Sequence, residues 1–185
     1  MVWRSTSLAN ITASALLLMV LFSCSNTGES EITTVQTGPY FSIAGYFRSE
    51  ATRLQRIDPE IIKTVSKNGD EEQQRKPIAD WANEFALFID SDINKPAWQN
   101  SYRIDSTATT LTYSSTDSTL RTETIQVEKS AEGITHIHIT NRVSNMLYVT
   151  EEQLDYYPDS LYRITKQQQV RIIGKSHYTV TGEWL

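Results

Sequence analysis

The first stretch of the chain with a clear periodic pattern begins near residue 40. Apolar residues recur there at intervals of three and four, and mostly polar or charged side chains occupy the positions between them. This spacing is typical of a helix with one buried stripe. The stripe consists of Tyr40, Ala44, Phe47, Ala51 and Leu54. The pair Asp58-Pro59 ends the predicted helix, because proline disfavours the helical conformation of the residue before it.

A short hairpin is predicted after this helix. Residues 61–66 alternate between two faces, and Asn68-Gly69 offers the positive-φ pair of a type I′ turn. The returning segment, residues 71–75, is entirely polar. We therefore expect it to be an exposed edge strand whose register is weakly specified.

A second amphipathic helix is predicted from about Ile78, and it must stop near Lys95-Pro96. Its apolar stripe comprises Ile78, Trp81, Ala82, Phe85, Phe88 and Ile89. Helices of this kind are not stable alone in water, so both need a sheet to cover.

The rest of the chain is predicted to form strands separated by turns rich in Ser, Asp, Asn, Gly and Pro. Seven segments qualify: residues 102–105, 109–113, 120–129, 134–142, 146–156, 161–173 and 177–184. Their short connections favour antiparallel pairing of neighbours. The predicted fold class is therefore α+β, with two N-terminal amphipathic helices and a small hairpin between them, packed on a curved antiparallel β-meander of about six to seven strands.

The N-terminal segment has a different pattern and is excluded from the fold. Arg4 is followed by an apolar stretch from Leu8 to Phe22 and then by polar residues. The apolar stretch covers about 15 residues, which is short of the roughly 20 that a permanent membrane-spanning helix needs. It is therefore interpreted as a secretory signal.

The end of this segment resembles the lipobox of bacterial lipoproteins. Leu21-Phe22-Ser23-Cys24 has an aliphatic residue three positions before the cysteine and a small residue just before it. The resemblance implies cleavage before Cys24, a diacylglyceryl group on its thiol and acylation of the new amino group. Two or three acyl chains hold a protein stably on a membrane. The alternative is a buried structural cysteine at the end of an ordinary signal peptide.

Three regions follow from this interpretation. Residues 1–23 are expected to be the signal peptide, residues 24–38 the lipidated cysteine and a flexible polar tether, and residues 39–185 a single α+β domain. The expected location is the bacterial cell envelope. Under the sorting rule of many enteric-type bacteria, Ser25 implies transfer to the outer membrane, with the periplasmic or surface face left open.

Composition and charge remove several function classes. The chain of 185 residues has 22 acidic and 17 basic residues, a net charge of −5, which argues against broad electrostatic attraction to nucleic acid or to anionic lipid. Cys24 is the sole cysteine, which excludes internal disulfides, cysteine-rich zinc sites and iron–sulfur clusters. Glycine-rich phosphate loops and the Gly-x-Ser-x-Gly elbow are absent from the sequence. No cofactor is predicted.

Two histidines are the weak candidates for metal binding. His136 and His138 lie on one face of a predicted strand, with Ile137 and Ile139 on the other. They could share a metal ion if a third ligand, either His177 or a carboxylate, came from another strand. The favoured interpretation is a polar sheet face above an isoleucine core, so no metal site is predicted.

Three short segments in predicted turns resemble O-glycosylation sites of exported proteins in one bacterial phylum. They are Asp105-Ser106, Asp117-Ser118 and Asp159-Ser160. The resemblance implies modification at Ser106, Ser118 and Ser160. The alternative is that these serines simply keep the sheet surface solvated.

These features favour a membrane-anchored, non-enzymatic envelope lipoprotein that acts as a binding or assembly module for an envelope protein or a glycan. The chain resembles uncharacterised envelope lipoproteins of that phylum, which implies no activity. One alternative is a periplasmic carrier of lipid or another hydrophobic ligand in a half-barrel groove. Another is an envelope hydrolase that uses a pair of carboxylates, and the sequence does not select that pair from Glu84, Asp90, Asp92, Glu151, Glu152 and Asp155. An apolar cavity between sheet and helices would favour the carrier, and a filled core with an exposed aromatic patch would favour the binding module.

Overall fold

A computed structural model of the protein describes residues 38–185. Cys24 and the predicted signal peptide lie outside the described residues, as does all of the predicted tether except residue 38. The helices are α1 (Ile43–Ile57), α2 (Trp81–Glu84) and α3 (Ala86–Asp90), with a 3₁₀ turn at Pro96–Trp98. The strands are β1 (Glu60–Lys67), β2 (Asp70–Pro77), β3 (Tyr102–Ser106), β4 (Thr110–Ser115), β5 (Thr122–Ser130), β6 (Gly133–Ser144), β7 (Tyr148–Tyr157), β8 (Leu161–Val170) and β9 (Gly174–Trp184).

All nine strands belong to one antiparallel sheet, in the order β2-β1-β9-β8-β7-β6-β5-β4-β3. The prediction of an antiparallel sheet is confirmed, but the predicted fold class is wrong. The hairpin does not stand apart between two helices, because β1 pairs with β9 and extends the meander from seven strands to nine. This pairing joins Ile61 to Trp184, which lie far apart in the sequence, so no local sequence pattern predicts it. It gives hydrogen-bond partners to backbone groups of β9 that would otherwise form a free edge.

The prediction of a second long helix is also wrong, because α1 is the only long helix among residues 38–185. The second segment is interrupted at Phe85, whose backbone leaves the helical region at φ −91° and ψ 12°. The interruption leaves Trp81, Phe85 and Phe88 all fully buried. Their burial against the sheet outweighs the modest free energy of continuing one short helix.

Helix α1 is fixed at both ends by polar contacts. Ser42 is its N-cap and accepts a hydrogen bond from the Gly45 N–H at 3.0 Å. The carboxylate of Asp92 accepts the Ala44 N–H at 2.8 Å, which satisfies another free donor at the helix start. At the other end Asp58 adopts a left-handed conformation, φ 45°, and donates its N–H to Leu54.

The space between α1 and the inner face of the sheet is filled by aromatic rings. Phe47 of α1 stacks on Phe88 with centroids 4.5 Å apart and meets Tyr156 of β7 edge to face at 5.2 Å. The largest fully buried side chains include Trp81, Tyr156, Tyr162, Phe47, Phe85 and Phe88. Edge-to-face and offset contacts of this kind stabilise a core beyond simple area burial.

Candidate functional site

The candidate site lies on the outer face of the sheet, the face that the helices do not cover. His136 and His138 project outward from β6, while Ile137 and Ile139 between and beyond them are fully buried. The two-residue side-chain period of a strand places both imidazoles on the same surface. They are partly buried, with 15% and 31% of their side-chain surface exposed.

Asp155 joins the two histidines from the neighbouring strand. It is the register partner of His138 in the β6–β7 pair. Its Oδ1 atom lies 2.9 Å from His136 Nε2 and 2.8 Å from His138 Nδ1. One ligand atom from each of the three residues thus lies within 4.8 Å of the others, so the cluster presents two nitrogens and one carboxylate oxygen around a common centre.

The charges of the cluster reinforce one another. The hydrogen bond to Asp155 raises the pKa of His138 above its ordinary value, although partial burial acts in the opposite direction. Burial alone would raise the pKa of Asp155, but the hydrogen bonds and charges of His138 and His136 outweigh burial and lower it. The carboxylate is therefore held ionised between the two rings.

The second nitrogen of each ring also faces an oxygen. His136 Nδ1 lies 3.7 Å from Glu128 Oε1, and His138 Nε2 lies 3.4 Å from Thr140 Oγ1. Tyr157 stacks on the His136 ring with a centroid distance of 4.1 Å and an interplanar angle of 3°. A hydrogen-bond partner on the outer nitrogen orients a metal-binding histidine, and Thr140 supplies one for His138; His136 is oriented by its stacking on Tyr157.

His177, considered as a third ligand, does not join this cluster. It lies on β9, three strands from β6, opposite Gln167 of β8. Its Nε2 atom is 3.3 Å from Thr179 Oγ1, and its backbone N–H donates to Asn68. The third group beside the two histidines is instead a carboxylate, that of Asp155 on β7. The sequence could not single out Asp155 because that choice depends on the β6–β7 register.

Three of the acids considered for a hydrolase, Glu84, Glu152 and Asp155, are held by cationic partners or by the histidines. Glu84 accepts hydrogen bonds from Lys63 at 2.5 and 2.7 Å and from the Tyr162 hydroxyl at 2.5 Å. Glu152, 6% exposed, pairs with Arg121 at 2.7 Å. Both ion pairs join mostly buried side chains, so a role in the fold explains the positions of Glu84 and Glu152.

The serines that resemble glycosylation sites are all exposed. Ser106 ends β3, Ser118 lies between β4 and β5, and Ser160 lies between β7 and β8. Their modification stays a prediction. The adjacent Asp117 accepts hydrogen bonds from the backbone and hydroxyl of Thr119, which lower its pKa.

The aromatic core bears on the carrier alternative. An open groove of about 550 Å³ is lined by Ala51, Thr52 and Gln55 of α1 together with Asp80 and Ala82. This groove lies on the surface of the helical layer, whereas the half-barrel carrier requires a space between the layers. Among the described residues, aromatic side chains occupy that space.

Four exposed apolar side chains were missed by the sequence patterns. Met146 and Leu147 were assigned to the start of a strand, and Ile172 and Ile173 to the end of one. The structure places them in the β6–β7 and β8–β9 turns, with exposed fractions of 83%, 68%, 93% and 84%, respectively. The turn signals were weak here because apolar residues occupy positions that turns usually fill with polar ones.

Among the helices of residues 38–185, none combines the length and apolar character required to cross a membrane. Searches for similar proteins matched this chain to no family model, no curated protein and no solved structure.

Proposed function

We propose that this protein is a lipid-anchored, non-enzymatic binding protein of the bacterial cell envelope, and that it binds a divalent transition metal ion through His136, His138 and Asp155. The observation that carries the metal assignment is the convergence of two imidazole nitrogens and a carboxylate oxygen within 4.8 Å. Two imidazoles with one carboxylate form a donor set suited to zinc, iron, nickel or copper rather than to calcium or magnesium.

The spacing of the three atoms fits such an ion with little rearrangement. In a tetrahedral site with bonds of about 2.0–2.2 Å, ligand atoms lie about 3.3–3.6 Å apart. Asp155 Oδ1 lies 2.8–2.9 Å from the two nitrogens, so each of these two distances would lengthen by about 0.4–0.8 Å to admit the ion. An ion would then replace the protons that lie between the rings and the carboxylate.

The environment of the cluster supports a bound cation. Glu128 adds a second carboxylate beside His136, and partial exposure of the three ligands leaves room for a water molecule as a further ligand. Arg163, the register partner of Asp155 on β8, is exposed and so has its charge screened by solvent.

The metal assignment is tested with the full chain and cobalt as the probe. Co²⁺ should give visible d–d bands, and Zn²⁺ should displace it. Replacing one ligand, in His138→Ala or Asp155→Asn, should weaken binding by about 10–100-fold or more. His177→Ala is the matched control, because His177 is on the same outer face and outside the cluster.

Circular dichroism of each variant establishes that it is folded. An absence of cobalt bands in the parent protein, or an equal loss of affinity in His177→Ala, would contradict the proposal.

The anchor rests on the Leu21–Cys24 lipobox, and its test is independent of the metal. Cells that express the native chain should incorporate a fatty-acid analogue into the protein and retain it in the membrane fraction. Cys24→Ala should abolish both, and Ser25→Ala, which leaves the thiol in place, should retain the label. Acylation and membrane retention that persist in Cys24→Ala would refute the anchor.

A further inference from the structure

The two apolar turns form one continuous projection from the sheet, which we name the apolar tip. It consists of Met146 and Leu147 in the β6–β7 turn and Ile172 and Ile173 in the β8–β9 turn. The two turns are joined by a hydrogen bond from the Arg171 N–H to the Leu147 carbonyl at 3.0 Å. Four large apolar side chains, each at least 68% exposed, are unusual at one spot on a soluble protein and mark an interaction surface.

Local hydrogen bonds hold these side chains outward. Asn145 Oδ1 accepts the backbone N–H groups of Leu147 and Tyr148 at 2.9 and 3.0 Å, which closes a tight turn with Met146 at its apex. Gly174, at φ 103°, closes the other turn after Ile173. The projection is therefore a structured part of two hairpins.

The chain enters the domain near the middle of the inner face of the sheet. The Phe41 N–H donates to the hydroxyl of Tyr113 at 2.8 Å, and the strand registers place Tyr113 at the level of Ile139 in β6. From Tyr113, β4 leads on into the β4–β5 turn. Because neighbouring strands are antiparallel, that turn lies at the same end as the β6–β7 and β8–β9 turns. Helix α1 then runs away from this end, and its residue Arg53 reaches Asp159 in the β7–β8 turn at 2.6 Å.

We infer that the apolar tip inserts into the interfacial region of the membrane to which the protein is anchored. This inference rests on the anchor part of the proposed function. Ile139, at the level of the entry contact, lies six residues before Asn145, which corresponds to about 20 Å along the strand. The polar tether from residue 25 to residue 38 has a root-mean-square span of about 20 Å, so an acyl group on Cys24 allows the apolar tip to reach the bilayer. Arg171 and Lys175 flank Ile172 and Ile173, and cationic side chains beside exposed apolar ones suit a surface with anionic headgroups.

This orientation places the metal cluster away from the membrane. His138 lies seven residues before Asn145 along β6, which corresponds to about 23 Å along the strand. The anchored protein would then stand with its strands inclined to the membrane surface and present the His136–His138–Asp155 cluster to solvent. A bound ion would be accessible to partners in the surrounding compartment.

The sole native cysteine makes a direct test possible, because acylation consumes its thiol. In the full chain, Leu147→Cys and Ile172→Cys each introduce one free thiol at the apolar tip. The matched control is Ile57→Cys, at an exposed apolar position, 51% exposed, at the far end of α1. Each protein is purified from membranes, labelled with the environment-sensitive fluorophore NBD and reconstituted into vesicles of phosphatidylethanolamine and phosphatidylglycerol.

The expected result is a blue-shifted NBD emission at both tip positions and loss of most of that emission when nitroxide-labelled lipid is included. The Ile57→Cys probe should keep a water-like emission and resist quenching by the lipid. A blue shift without quenching by nitroxide lipid would indicate contact with a second copy of the chain, and it would overturn the inference. Equal quenching at all three positions would overturn it as well.

Mass spectrometry of the same preparations separates this inference from the function on which it rests. An acylated protein whose tip probes stay in water refutes insertion of the apolar tip and leaves the anchor standing. A protein without acyl groups on Cys24 refutes both. Cobalt binding by the same proteins is measured separately and bears only on the metal assignment.

Discussion

Gly182 on β9 is the position at which the smallest substitution should have the largest effect. It faces the ring of Tyr162 on the neighbouring strand. A Cβ atom built at Gly182 would lie 2.1 Å from Cε1, 2.5 Å from Cζ and 2.7 Å from the hydroxyl oxygen of Tyr162. Ordinary van der Waals contact begins at 3.4 Å, so the ring would have to move by more than an ångström.

The ring has no free space into which it could move. Tyr162 is fully buried, with Trp81, Phe85 and Trp184 around it at centroid distances of 5.8–6.4 Å. Overpacking of such a site costs about 1–3 kcal/mol. Displacement of the ring also breaks the 2.5 Å hydrogen bond to Glu84, and a hydrogen bond to a charged group contributes about 1.5–3 kcal/mol. Gly182→Ala should therefore lower the free energy of unfolding by about 3–5 kcal/mol.

Urea denaturation followed by tryptophan fluorescence measures this change, since Trp81 and Trp184 lie beside the site. Gly133→Ala is the control, because no atom lies within 4 Å of its added Cβ and its effect comes only from the positive φ of 132°. In a double-mutant cycle, Gly182→Ala should cost much less in a Tyr162→Ala background. Additive effects, or a loss below about 0.5 kcal/mol in Gly182→Ala alone, would refute the packing argument.

Two further predictions follow from contacts near the start of the domain. Asp92→Ala removes the carboxylate that accepts the Ala44 N–H and should lower the free energy of unfolding by about 1–2 kcal/mol. Asp90→Ala, at an exposed position, is the control and should leave it unchanged. Equal urea midpoints for the two variants would contradict this prediction. Burial raises the pKa of Tyr102 to about 12, because the folded protein favours the neutral hydroxyl. The stability that comes from this preference is complete below the unfolded-state pKa of about 10 and is lost as the pH rises towards 12. Urea midpoints measured between about pH 9 and 11 should therefore fall less steeply in Tyr102→Phe than in the parent protein, and parallel slopes would count against this assignment.

The strands were accessible to sequence reasoning because their information is local. Ile137 and Ile139 alternate with His136, His138 and Thr140, and alternation of this kind specifies a strand with one buried face. The junction of the hairpin with the meander was not accessible, because Ile61 and Trp184, which pair there, lie far apart in the sequence. The break at Phe85 was hidden for a similar reason, since its cause is burial against distant aromatic rings.

The candidate metal cluster shows the same division between local and non-local information. The shared face of His136 and His138 follows from strand periodicity alone. Asp155 becomes their partner only through the register of β6 against β7, and a shift of one residue would turn its side chain into the core. The apolar tip was missed because Ile172 and Ile173 continue the apolar character of the strand that precedes them.

Strand β2 has a consequence for how copies of this protein behave when they are concentrated. It forms one edge of the sheet, is exposed along its whole length and ends at Pro77. It carries five charged side chains: Asp70, Glu71, Glu72, Arg75 and Lys76. The opposite edge, β3, is only five residues long. Confinement to a membrane surface would raise the rate of encounters between open sheet edges, which are templates for intermolecular strand pairing. Desolvation of so many charges, and the missing donor of Pro77, oppose such pairing, so a dense layer of these domains should remain a layer of separate molecules and should not grow into fibrils.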